Sequence, residues 1–244
     1  MDIRLEQASL HWQHHCVFSE LNLELPEGQW TSILGQSGVG KSSLLQLLCG
    51  IADDADIKGR ILCSDGLPLQ GRVAWMAQQD LLLPWLSVLD NVLLAARLQG
   101  NRLSPGEVER ARYLLSQVQL ADRAEARPDQ LSGGQRQRVA LARTLFQDQP
   151  LVCMDEPFSA LDAITRLKLQ DLAVQLLADR TVLMITHDPL EALRLSDRIL
   201  VLQGHPARLS EAIEPSGSVP RAIDAPEVLH HQARLLKQLA QETI

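Results

Sequence analysis

Eight residues, Gly35-Gln36-Ser37-Gly38-Val39-Gly40-Lys41-Ser42, constrain what this chain can fold into more than any other stretch. They follow an apolar run at 31–34 and precede apolar residues at helical spacing over 42–49. A glycine-rich turn between a buried strand and a helix belongs to α/β folds. Gly35, Gly38 and Gly40 let the backbone curl so that several N–H groups converge, and the helix start adds partial positive charge. Such a loop suits phosphates, with Lys41 expected to reach the β- and γ-phosphates and Ser42 to ligate Mg²⁺. Gln36, Ser37, Val39 and Ser43 complete the expected nucleotide contacts. A random match arises in roughly one chain in a hundred, so the loop alone does not decide the chemistry.

Strand-like runs recur at 72–77, 151–154, 181–186 and 198–202, and helical periodicity follows several of them, as at 190–195. The alternation predicts an α/β core around a mainly parallel sheet. Up to about Leu25 the pattern is short alternating strands, expected to form an antiparallel side sheet. Between 86 and 145 only helices are expected. Ser87 opens one, with Val88, Leu89, Val92 and Leu93 on one face and Gly100 closing it. Ser104-Pro105-Gly106-Glu107 is a capping box, continued by Val108, Ala111, Leu115 and Val118. The expected organisation is one domain over 1–244. Its core is about 1–78 and 146–204, with an inserted helical subdomain over 79–145. A tail over 205–244 holds one amphipathic segment near 228–239.

Composition narrows the partners. With three Phe and one Tyr among 244 residues, aliphatic side chains must fill the core. The net charge of -7 disfavours non-specific attraction to nucleic acid or anionic lipid. Cys16, Cys49, Cys63 and Cys153 have no metal-ligand spacing, which fits a reduced compartment. The N-terminus carries no signal-peptide stretch, and the longest apolar run, 81–86, is too short to span a bilayer. A cytoplasmic protein that meets a membrane only through a partner is expected.

Leu151-Val152-Cys153-Met154-Asp155-Glu156 reads as a buried strand delivering two carboxylates at its tip. Adjacent acids after a strand often just begin a solvated loop. Paired with a phosphate loop, Asp155 suits the Mg²⁺ sphere and Glu156 the attacking water. Leu131-Ser132-Gly133-Gly134-Gln135 contains a capping box that puts two glycines on the first turn of a helix, whose N–H groups and Ser132 hydroxyl form a second phosphate-binding end.

That run, continued by Arg136-Gln137-Arg138-Val139-Ala140-Leu141-Ala142-Arg143, resembles the ABC ATPases over roughly residues 1–204. The resemblance implies a RecA-like P-loop NTPase core. It also implies that Ser132, Gly133, Gly134 and Gln135 complete the nucleotide site of a second copy, with ATP sandwiched between two ATPase domains. Gln78 matches the loop that senses Mg²⁺ and water and couples to transport subunits, although Gln79 follows directly. Asp162, in Ser159-Ala160-Leu161-Asp162, matches the loop that communicates across the dimer. His187 matches the switch histidine at the γ-phosphate, where a lone His after a strand would otherwise read as structural. Trp12 stands where the family stacks an aromatic on adenine; a half-buried packing role fits that residue equally well. His11, His14 and His15 read as a polar strand edge, and His230 and His231 have no clear ligand companions. Leu81-Leu82-Leu83, flanked by Pro84 and Trp85, is expected to pack on the helical lobe.

The stretch from Gln78 to Val92, with Leu82-Leu83-Pro84-Trp85 after the glutamine, is similar to importer ATPases of the nitrate, sulfonate, taurine and pyrimidine-precursor group. Asp155 to Arg166 and the tail pair Pro220-Arg221 fit the same group. That implies an ATP-hydrolysing importer motor on the inner face of the cell membrane. Its partners would be a second copy, polytopic permease subunits and, indirectly, a solute-binding protein, with no nucleic acid. The alternatives are a non-transport ABC ATPase of DNA repair or translation, and an exporter or lipoprotein-release motor.

Overall fold

In the computed structural model residues 1–100 and 102–241 are described. The core sheet holds β5 (Val73–Met76), β6 (Leu151–Asp155), β7 (Thr181–Ile185), β3 (Trp30–Leu34), β8 (Arg198–Gln203) and β9 (Arg208–Leu209), side by side in that order. All neighbours run parallel except the last pair. Buried on both faces, these strands sort their side chains by parity. Leu151 and Cys153 join one hydrophobic cluster, and Val152 and Met154 the other.

The side sheet is larger than the sequence suggests. β1 (Ile3–Trp12) sits between β2 (His15–Leu25) and β4 (Ala55–Cys63), antiparallel to both. The sequence did not disclose β4. It is mostly exposed, so it lacks the apolar alternation of a half-buried strand. Gly59 interrupts it at φ +102, pressed so close to β1 that an added Cβ would stand 2.7 Å from the Ala8 Cα.

Helix α1 (Lys41–Cys49) packs Leu44, Leu45, Leu47 and Leu48 between the two sheets. On the opposite face of the core sheet lies the helical lobe, with α2 (Val88–Val92), α3 (Leu94–Leu98), α4 (Pro105–Gln117) and α5 (Gly133–Phe146). The single helix expected from Ser87 to Gly100 divides at Leu93. The division follows buried Asn91, whose amide donates to the carbonyls of Leu83, Leu86 and Ser87 and so ties the preceding loop into the first turn. In that loop Leu82 packs into the lobe, but Trp85 is 66% exposed, against expectation. The bond from Leu83 N–H to Asn91 Oδ1 fixes the loop before Trp85 is reached. The reciprocal box at Ser104 and Glu107 opens α4 as anticipated. The remaining helices are α6 (Ala163–Leu176), α7 (Pro189–Leu195) and α8 (Pro226–Gln241).

Candidate functional site

The phosphate loop leaves the C-terminal end of β3, where a parallel sheet opens its binding crevice. Two of its glycines are there for space as well as conformation. A Cβ at Gly35 would sit 2.4 Å from the Leu202 carbonyl oxygen, and one at Gly40 (φ +109) 2.4 Å from Val17 Cγ1 of the side sheet. α1 starts with no side-chain cap, leaving its first N–H groups for an external acceptor. Beside it opens a cavity of about 310 Å³, lined by Ser37, Gly38, Gly40, Lys41, Ser42, Ser43, Gln78, Asp155, Glu156 and His187.

Lys41 is buried, and its ammonium donates to the carbonyls of Gly35 (2.7 Å) and Gln36 (2.8 Å). Burial lowers its pKa, and the Glu156 and Asp155 carboxylates oppose that fall. The Ser42 hydroxyl donates to Asp155 Oδ2 at 2.7 Å. Burial pushes the Asp155 carboxyl upward; the Ser42 bond and Lys41 pull it down, and Glu156 adds to the rise. Two hard oxygens side by side fit Mg²⁺, which keeps water and substrate phosphate in the rest of its sphere.

Glu156 follows β6 at φ +48, a left-handed conformation that costs a non-glycine residue free energy. Its N–H is held by the Ile185 carbonyl at 2.9 Å. Its two carboxylate oxygens meet His187 Nδ1 at 3.1 Å and Gln78 Nε2 at 3.3 Å. Gln78 rather than Gln79 therefore reaches the acid. His187 is exposed, on a turn braced from behind. The Thr186 hydroxyl accepts from the Asp188 N–H, and Asp188 caps α7. Buried Glu191 accepts from Gln170 at 3.1 Å, and desolvation raises its pKa. Sequence reasoning found the Asp188–Glu191 cap but not the Gln170 partner, which lies 21 positions away on α6.

Other singled-out residues lie elsewhere. Trp12 is half-buried at the end of β1, and its ring packs with the cluster between the sheets. Val39 is buried in that same cluster, and the Gln36 side chain leaves the cavity altogether. Ser132 caps α5 reciprocally with Gln135, and none of Ser132, Gly133, Gly134 and Gln135 lines the cavity. Gly134 rests against Ala160 and Leu161, whereas a Cβ on Gly133 would meet only the tip of Arg136, at 3.9 Å. Packing does not explain a glycine at 133; room for something to approach the helix end would. Asp162 caps α6 through the Thr165 N–H, which lowers its pKa.

A family model described as ABC transporter matches residues 18–159. The chain is 48% identical over 243 residues to an ABC transporter ATP-binding protein of Haemophilus influenzae, covering 98% of this chain and 99% of that protein. It is 41% identical to an aliphatic sulfonates import ATP-binding protein of Xanthomonas axonopodis pv. citri, covering 95% and 93%. Among solved structures, a dimeric ATP-binding cassette in a post-hydrolysis state with ADP and Pi superposes with a TM-score of 0.77. The two are 29% identical, and the match covers 88% of this chain and 100% of that one.

Proposed function

Because the chain belongs to the ABC transporter ATP-binding family, we propose that it binds and hydrolyses ATP as the motor of an importer for small organic anions. The observation that carries the reading is the convergence on one cavity of Lys41, Ser42, Asp155, Glu156, Gln78 and His187. Lys41 and the uncapped N–H groups of α1 bind the phosphates. Ser42 and Asp155 would hold Mg²⁺, which supplies charge neutralisation at the phosphates when bound. Glu156 orients the attacking water and takes its proton, with Gln78 and His187 fixing the carboxylate. Its left-handed backbone aims that side chain into the cavity.

Ser132, Gly133, Gly134 and Gln135 contribute the other wall of a second copy's site, with Asp162 at the same junction. ATP then favours the closed pair of domains, hydrolysis removes the bias, and docked permease subunits are driven between two states. A solute-binding protein delivers cargo on the far side of the membrane. No described helix is long and apolar enough to cross a bilayer, so attachment to the inner face runs through the permease. The aliphatic sulfonates named for several relatives support an anionic cargo.

Affinity capture of the tagged protein from detergent-solubilised native membranes, with mass spectrometry of the eluate, tests this reading. A polytopic permease should co-purify. Its absence, while the ATPase is active and a known complex survives the same detergent, would favour a soluble ABC ATPase.

A further inference from the structure

Gln36 directly precedes Ser37 and Gly38 of the cavity wall, yet its side chain turns the other way. Its Nε2 donates to the Leu239 carbonyl at 3.4 Å, near the C-terminal end of α8. One residue earlier Gln238 Nε2 meets Gln203 Oε1 at 3.4 Å, at the end of β8. That end is where Leu202 presses on Gly35. The phosphate loop, the end of β8 and the end of α8 thus form one packed unit.

The rest of α8 is fixed to the elements that flank the cavity. Val228 and Leu235 are fully buried in a cluster with Leu34, Ala192, Leu193, Ile199 and Val201. Leu34 immediately precedes the phosphate loop, and Ala192 and Leu193 belong to the helix that follows His187. At its near end the tail is anchored by Arg221, which is 7% exposed. Its guanidinium donates to the carbonyls of Leu193, Ser196, Ser216 and Pro215, at 2.6–2.9 Å. Its N–H bonds the Arg194 carbonyl. A cation at the end of α7 complements the helix dipole and occupies carbonyls the helix leaves open. A tail pinned there and packed along α7 carries its far end to the loop.

We propose that α8 is a strut for the phosphate loop and Gln36 the positioning residue through which it acts, so that nucleotide affinity depends on the tail. Holding Leu34 to Gln36 against α8 keeps the loop in the curl that converges its N–H groups. A loop that must first adopt this curl binds more weakly by the fraction of time it spends elsewhere. This rests on the reading of Gly35–Ser42 as the phosphate cradle.

The test is a double-mutant cycle on the dissociation constant for ATP, using a fluorescent ATP analogue and Gln36→Ala, a chain ending at Ala225, and the two combined. Each change should weaken binding about 3- to 10-fold, and the combination should be no weaker than the shortened chain alone. In the shortened chain KM for ATP should rise while kcat stays within about two-fold, a split that general destabilisation would not produce. Should the shortened chain not fold, Leu235→Ala takes its place in the cycle. Independent, multiplying effects, or wild-type affinity without α8, would overturn the strut. Failure of the wild-type protein itself to bind ATP would instead overturn the reading of the loop.

Discussion

The helix starts at α1 and α5 both present free N–H groups, and they are built by opposite means. α1 begins at Gly40 with no cap of its own, and side chains from three other segments, at Gln78, at Asp155 and Glu156, and at His187, close around it beside a buried Lys41. α5 supplies its own cap through Ser132 and Gln135, stands at the surface, and faces nothing across the cavity of its own chain. The first end pays for function with strain: a desolvated ammonium, a desolvated carboxyl and a left-handed Glu156. The second is locally content, and only the spare glycine at 133 marks it. We propose that a half-site with side chains for chemistry and a half-site with a prepared helix end become one site when two copies pair; the similar cassette is dimeric, with ADP and Pi bound.

The largest effect that would break this division is at the strained end. Glu156→Gln should cut kcat by about 10²- to 10⁴-fold, the usual worth of a positioned base, while ATP binding persists. Single-turnover hydrolysis against nucleotide retention on a gel-filtration column measures both, and a variant of wild-type rate would remove Glu156 from its role. Mixing tests the division itself. Lys41→Ala and Ser132→Arg should each abolish hydrolysis alone, because each spoils both sites of a symmetric pair. Combined in equal amounts they should recover about a quarter of the wild-type rate, since half the pairs are mixed and each mixed pair retains one intact site. No recovery, with pairing verified by light scattering, would mean the α5 end does not serve another copy's nucleotide.

What the sequence disclosed tracks how local the determinants are. The phosphate loop, the acids after β6 and the boxes at Ser104 and Ser132 are set by residues within a turn of one another, and each was legible. β4 was not, because a strand so largely exposed has no apolar alternation to read. Nor was the division of the helix at Leu93, which depends on where the Asn91 amide finds carbonyls in a folded loop. The loop of Leu81, Leu82 and Leu83 beside Pro84 and Trp85 was expected to pack on the lobe; Leu82 does, whereas Trp85 stands exposed, and no spacing distinguishes the two. The Gln36–Leu239 bond joins positions 203 apart, and the Gln170–Glu191 pair crosses between helices. No spacing encodes either.

Stability offers a finer contrast. Because burial raises the Asp155 carboxyl above its ordinary 3.8, the folded protein favours the protonated form. Its contribution to stability is therefore present at low pH and lost as pH climbs through the raised value. Asp155→Asn should melt higher than wild type at neutral pH, and the gap should close as pH falls toward 3.8. The same variant should fail to hydrolyse ATP. Thermal melts at several pH values without nucleotide check this; a variant that melts lower at neutral pH would show that the empty α1 end carries no such strain.

The smallest effect concerns the spare glycine, and it separates fold from function most cleanly. An alanine at 133 meets no obstacle within its own chain beyond the tip of Arg136, and helices prefer alanine to glycine by up to about 1 kcal/mol. Gly133→Ala should therefore melt at the wild-type temperature or about 1–3 °C above it. Gly134→Ala is the control, since its methyl would press at 3.3 Å on the Ala160 carbonyl and should lower the melting temperature. If the α5 end receives another copy's phosphates, the methyl at 133 stands where they approach, and steady-state ATPase should fall several-fold in a protein as stable as its parent. Full activity in Gly133→Ala would leave this glycine without the purpose that packing fails to give it, and the contrast between the two helix ends would lose its surface half.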